Sequence, residues 1–291
     1  LVIVDQRSFS GTRRIPGLFE GEMGIHSTGQ LMSGTGRPRT RSRWALLLIV
    51  ALMVTLGWLL RPGWERDAPR DLPWPVADYR QAQAGHEVLP GGQLQMRIEH
   101  LPLPGITPQM LAWWYRVLPI STVEIKGNVL PLYHIFHPTE HGQLWVVEAA
   151  SDGSPGMGEG SLVARREWFG PFDSEGAGRV ISISEAGMTV RPEVAGLQIG
   201  EMRHIFEATA DGSRYRVETR IGVDWPLIGP LLNALLRQTT FHEAMLQEWQ
   251  RHQIEEVSLL PHYLPQLYAQ QTAANYQFQL SLPNRSLQHE Q

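Results

Sequence analysis

The chain of 291 residues is 42% hydrophobic and 19% charged, a balance that excludes both a disordered polymer and a polytopic membrane protein. Its 25 Lys and Arg against 29 Asp and Glu leave a net charge of −4, without the basic footprint of a nucleic-acid binder, so DNA and RNA are not expected as partners. There is no cysteine, which removes disulfide scaffolds, zinc-thiolate sites, iron-sulfur clusters and thiol nucleophiles, and any metal must sit on His, Asp or Glu.

Residues 1–31 carry no periodicity, and Met32 opens a basic lead-in, MSGTGRPRTRSRW, so Met32 reads as the natural start. Residues 44–60, WALLLIVALMVTLGWLL, hold no charge and follow Arg37, Arg39, Arg41 and Arg43. At ~1.5 Å per residue this run covers ~25 Å, the short end of a bilayer crossing. No small-x-small cleavage site follows, so it reads as an uncleaved anchor and not as a signal peptide. Beyond it Arg61, Arg66 and Arg70 are mixed with Glu65, Asp67 and Asp71. The positive-inside bias then puts residues 1–43 in the cytoplasm and the C-terminal bulk outside the inner membrane, in the periplasm of a Gram-negative cell. Residues 61–75 are Pro-rich and read as a linker, leaving 76–291 as the folded domain.

Within that domain, alternation at 94–100 predicts a half-buried strand. Thr107 before Pro108 caps a helix running through Val117. Short strands are expected at 123–126, 132–136, 144–149, 162–169, 180–184 and 188–191. A hairpin pairs 202–208 with 215–221 through Asp211 and Gly212. Helices follow at 226–236 and 239–260, the second stopped by Pro261. Many antiparallel strands with a long C-terminal helix make an α+β domain whose curved sheet wraps the helix and encloses an apolar cavity.

Two segments carry chemistry. In WQRHQIEEVSLL, His252 and Glu256 are four apart and share a helix face with Leu246, Trp249 and Leu259, so both point inward. Inward ionisable groups need a partner or a metal, and His with Glu at this spacing suits zinc. In YHIFHPTEH, three histidines fall within nine residues; as a strand it would send His134 with Phe136 to one face and Tyr133, Ile135 and His137 to the other.

Together, HPTEH at 137–141 and HQIEE with the Leu-Pro-x-Leu-Tyr ending at Tyr268 resemble the zinc-dependent carbon-carbon hydrolases of acylated phloroglucinols, the diacetylphloroglucinol hydrolase and phloretin hydrolase family, over roughly residues 74–276. The resemblance implies a Bet v 1-like helix-grip fold and one Zn2+ held by two His and two Glu. Carried onto matching positions, the ligands are His137, His252 and Glu256. Glu167 in LVARREWF is the best match for the fourth, with Glu148 and Glu159 as alternatives. His204 is the nearest counterpart of a family histidine on a later strand and is the expected proton shuttle. Glu140 stands where the family usually has Asp or Asn, and the family's known members are soluble whereas this chain carries an anchor-like run. The implied activity is hydrolysis of the bond between an acyl group and a polyhydroxylated aromatic ring, with a phenolic ketone as substrate. The competing expectation is a membrane-anchored, non-catalytic binding module for apolar or aromatic ligands.

Overall fold

The computed structural model describes residues 65–282, Ala195 excepted. The anchor expected at 44–60 and the start expected at Met32 lie outside the described residues. Among those described, no helix is long and apolar enough to cross a membrane. Among the described residues, a 3-10 turn at Tyr79–Gln81 leads into the hairpin β1 (Gln83–Val88) and β2 (Leu94–Glu99), a short β3 (Leu103–Pro104) and helix α1 (Pro108–Val117). A second hairpin, β4 (Thr122–Ile125) and β5 (Asn128–Pro131), leads through α2 (Leu132–Phe136) into β6 (His141–Glu148), β7 (Leu162–Phe169), β8 (Phe172–Ser184) and β9 (Gly187–Val194). Then come β10 (Leu197–Gln198), the hairpin β11 (Gly200–Ala208) and β12 (Gly212–Ile221), helices α3 (Gly229–Thr239), α4 (Glu243–Ser258) and α5 (Leu264–Tyr268), and β13 (Gln277–Gln279).

The main sheet is antiparallel throughout, in the order β1-β2-β12-β11-β9-β8-β7-β6, with β3 beside β12 and β10 beside β9. A smaller sheet sets β4 between β5 and a parallel β13. Strand period 2 decides which face is buried. In β12, Ser213, Tyr215, Val217, Thr219 and Ile221 all point into the core while the residues between them do not.

Helix α1 starts where Thr107 accepts a hydrogen bond from the Met110 amide at 3.3 Å, with Pro108 in the first turn, and it buries Leu111, Trp114 and Tyr115. Helix α4 is capped by His242, whose ring accepts from the Met245 amide, and buries Met245, Leu246, Trp249, His252, Ile254 and Val257. The same helix touches both edges of the sheet. His86 on β1 bonds Glu243 at 2.8 Å, and His252 lies 3.1 Å from His141 on β6. Eight strands laid flat would separate those edges by roughly 34 Å. The two contact points on α4 are only about 14 Å apart along its axis. The sheet therefore curls around the helix, helped by bulges between His141 and Gln143, between Val146 and Glu148, and between Val180 and Ser182.

Residues 132–136, expected as a strand, form helix α2 instead. A strand would bury alternate side chains, but Leu132, Tyr133, Ile135 and Phe136 all need burial. One helical turn beginning after Pro131 buries all four and leaves His134 outward, its Nε2 2.7 Å from the Gly142 carbonyl. Part of the stretch read as linker lies on the sheet edge. Arg66 Nε donates to Asp173 at 2.7 Å, Arg70 Nη1 donates to the His141 carbonyl at 2.9 Å, and Trp74 is buried in the core.

Candidate metal centre

Strands β6 and β7 pair with His141 directly opposite Glu167, so both side chains leave the same face of the sheet edge. Helix α4 lies across that face and brings His252 and Glu256 from consecutive turns. His141, Glu167 and His252 then form one close group of donor atoms, and Glu256 Oε2 approaches both of its imidazoles. His141 Nε2 is 3.1 Å from His252 Nε2, 3.2 Å from Glu256 Oε2 and 3.8 Å from Glu167 Oε2. His252 Nε2 is 3.6 Å from Glu256 Oε2 and 3.9 Å from Glu167 Oε2. Donors bound tetrahedrally to zinc at 2.0–2.1 Å sit about 3.3 Å from one another, and these separations bracket that value.

The remaining ring nitrogens are taken up so that both lone pairs face inward. His141 Nδ1 donates to the Tyr133 carbonyl at 2.7 Å, an oxygen that can only accept. His252 Nδ1 donates to Glu140 Oε2 at 2.8 Å. In the neutral rings this leaves both Nε2 atoms as acceptors 3.1 Å apart, an arrangement that suits a cation or a shared proton between them. Burial lowers both imidazoles well below their usual range; His252 and His137 lower His141 further, and His137 and Arg251 lower His252. Burial also pushes the Glu256 carboxyl well above the usual carboxylate range, with the charge of Glu167 adding to the rise and Arg165 opposing it.

An outer layer holds these side chains. The Tyr133 hydroxyl donates to Glu167 Oε2 and Arg165 Nε donates to Glu167 Oε1. The Tyr133 ring also stacks on His141 with centroids 3.7 Å apart. Glu140 accepts from His252, from the Gly170 amide at 2.9 Å and from Arg251 Nη2 at 2.5 Å. Arg251 donates as well to Glu248 and Glu255.

Of the residues singled out in the sequence, Glu167, His252 and Glu256 come together. His137 does not join them: its Nε2 faces Glu255 at 3.3 Å and Glu140 at 3.7 Å while its ring stacks on His252 with centroids 4.5 Å apart. His141 occupies the place beside the other three. His137, Glu140 and His252 Nδ1 form a second close group, but each Glu140 oxygen in it already accepts hydrogen bonds. Glu148 is exposed and paired with Arg179 at 2.9 Å, and Glu159 is exposed, so neither alternative reaches the cluster.

His204 stands on β11, away from the four donors, with Nδ1 2.5 Å from the Tyr215 hydroxyl; Tyr215 in turn lies 2.5 Å from the Tyr115 hydroxyl. Burial lowers the His204 pKa to about 4, so the ring is neutral at pH 7. Burial is also the largest of the influences that raise Tyr115, Tyr215 and Tyr263. Sequence reasoning missed His141, Tyr133, Glu140 and Arg165 as parts of one site. The available signal was spacing: one helical turn before a Pro brings Tyr133 and His141 into register.

No family model and no curated protein matches the chain. Solved structures similar to it include protein Ms6760 from Mycobacterium smegmatis, at 10% identity and a TM-score of 0.38, over 64% of this chain and 97% of that one. Ara h 8.0201 is similar at 14% identity and a TM-score of 0.32, over 58% of this chain and 97% of that one. A START superfamily protein from Mycobacterium smegmatis is similar at 15% identity and a TM-score of 0.35, over 60% of this chain and 99% of that one.

Proposed function

We propose that the chain is a helix-grip hydrolase of the Bet v 1-like kind that holds one zinc ion on His141, Glu167, His252 and Glu256 and cleaves the carbon-carbon bond between an acyl group and a polyhydroxylated aromatic ring. The observation that carries this reading is the pair of inward Nε2 atoms 3.1 Å apart, flanked by the carboxyl groups of Glu167 and Glu256. When bound, the ion supplies a Lewis acid that polarises a ketone oxygen and lowers the pKa of a water. The Tyr133 carbonyl and Glu140 hold the two imidazoles in the tautomer that presents Nε2 inward. Arg165 and the Tyr133 hydroxyl fix the Glu167 carboxylate.

The reaction adds water across the bond, with the oxygen ending on the acyl carbon and a proton on the ring carbon. Hydroxyls ortho and para to the acyl group let the ring take that proton and leave as a stabilised enolate. His204, Tyr215 and Tyr115 form a hydrogen-bonded chain in the interior, and His204 with Tyr215 is assigned the proton transfer to the ring. Purified protein should contain about one zinc per chain, as expected for a single four-ligand site. It should release a carboxylic acid and a deacylated phenol from an acylphloroglucinol. Protein that stays metal-free after zinc reconstitution removes this reading.

A non-catalytic binding module for apolar or aromatic ligands is the second reading. It is favoured by the Tyr263 hydroxyl and Trp114 Nε1, which are buried in the aromatic interior without hydrogen-bond partners. That reading needs the interior but no metal, so metal content separates the two. For residues 44–60 the proposal is a single inner-membrane anchor with the domain outside, periplasmic in a Gram-negative cell. A C-terminal alkaline phosphatase fusion should be active, and an inactive one beside an active cytoplasmic reporter at the same junction overturns it.

A further inference from the structure

Helix α3 carries an exposed apolar row beside polar anchors. Its polar side chains hold it to the body. Asn233, 1% exposed, accepts from the Val223 amide at 2.8 Å and donates to the carbonyls of Gly91 at 2.9 Å and Val223 at 2.8 Å. Arg237 donates to the Gly92 carbonyl. Leu232 and Leu236 are half-buried, but a second apolar row faces outward: Leu231 is 73% exposed and Leu235 54%, in line with Ile228 at the N-cap, 53% exposed. Leu227, 96% exposed, and Trp225, 39% exposed, extend the stripe into the preceding turn. Leu227 is held there at φ 67°, a left-handed conformation that a branched side chain rarely takes. A contiguous apolar face of this kind marks an interaction surface.

We propose that this face of α3 docks the domain on the surface of a lipid bilayer. The composition is that of an interfacial helix, aliphatic along its length with a tryptophan at the margin. The groove beside Trp225 is lined by Arg191, Arg203 and Arg220 against Glu201, Glu218 and Asp224, a charge-balanced rim suited to zwitterionic headgroups. The apolar run 44–60 ends five residues before Glu65. If it is embedded in a bilayer, that stretch tethers the domain within about 18 Å of the lipid. Only this last point rests on the anchor reading. A second copy fits the face poorly, because five side chains fall well short of the roughly 20–30 residues a side that a stable dimer buries.

The chain has no cysteine, so a single introduced thiol carries a unique fluorophore. Full-length Leu227→Cys, Leu231→Cys and Leu235→Cys proteins, labelled with an environment-sensitive dye, would be reconstituted into phosphatidylethanolamine/phosphatidylcholine vesicles containing doxyl-lipid. Val129→Cys, at an isolated exposed valine of the small sheet, is the matched control, and Thr55→Cys reports on the apolar run separately. Docking predicts blue-shifted emission and doxyl quenching at all three α3 positions, with at least threefold protection from aqueous iodide relative to Val129. Iodide quenching at Leu231 as free as at Val129 overturns the proposal. So does a blue shift without doxyl quenching that grows with the protein-to-lipid ratio, which would assign the face to a second copy. Doxyl quenching at Thr55 without any at Leu231 sinks the docking face and leaves the anchor; the reverse leaves the docking face and sinks the anchor.

Discussion

His141 and His137 are four residues apart and both buried, yet they do different things. His141 presents Nε2 to Glu256, Glu167 and His252, whereas His137 stacks on the far face of His252 and meets Glu255 and Glu140. His141→Ala should therefore weaken zinc binding more than about 100-fold, and Glu140→Gln by roughly 10–100-fold, the usual cost of losing a carboxylate behind a ligating imidazole. His137→Ala should leave about one zinc per chain bound. Competition titration with a chelator reads all three, and equal losses at His137 and His141 would refute the assignment of ligands. His100 supplies a different test. It is buried with neither ring nitrogen partnered, and burial, aided by His204, lowers its pKa to about 3. The folded state keeps it neutral while the unfolded chain binds a proton below about pH 6.5, so stability from this residue is intact above that pH and is lost as pH falls toward 3. Between pH 7 and pH 5 the loss is about 2 kcal/mol. Urea unfolding of His100→Phe at the two pH values should lack this increment, and an unchanged pH dependence would show that the ring is not held neutral.

At the scale of elements, α4 and the β6–β7 pair together build the cluster, and neither does so alone. The helix supplies the spacing of four between His252 and Glu256, and the strand register sets His141 against Glu167. The 3.6-residue period of α4 was legible in the sequence because Leu246, Trp249 and Leu259 mark its buried stripe. Helix α2 was not, because Leu-Tyr-His-Ile-Phe has strand-like composition and only the need to bury four of its five side chains selects a helical turn. Helix α3 was expected as a helix, but its outward apolar face depends on Asn233 reaching Gly91, distant in sequence. Asn233→Ala removes three hydrogen bonds and should cost roughly 2–4 kcal/mol in urea unfolding. A loss below about 0.5 kcal/mol would mean that α3 is held by something other than these bonds.

For the whole molecule, the cluster ties one edge of a curled sheet to the helix it encloses, while the His86–Glu243 bond ties the opposite edge to the start of that helix. Zinc, if bound there as proposed, would restrain the closure of the fold and favour only the folded state. At a free zinc concentration 100 times the dissociation constant it should add about 2.7 kcal/mol of stability, removed by a chelator. Calorimetry with and without chelator checks this, and equal unfolding temperatures would place any bound zinc elsewhere. Expectations of a curved antiparallel sheet with a long C-terminal helix came from local patterns repeated along the chain, and they did not depend on strand order.

The sequence by itself determined what short-range physics decides: the period of α4, the β11–β12 hairpin at Asp211 and Gly212, the Thr107 cap, and the exclusion of every thiolate site. It also narrowed the candidate donors to a few His and Glu residues. Only the tertiary structure decided which histidine of HPTEH faces Glu256, which of three glutamates lies opposite it, and that Glu140 orients His252. Those outcomes turn on one turn of helix before Pro138, and on a strand register and a bulge beside Gly142 that pair residues more than twenty positions apart and so leave no periodic mark in the chain.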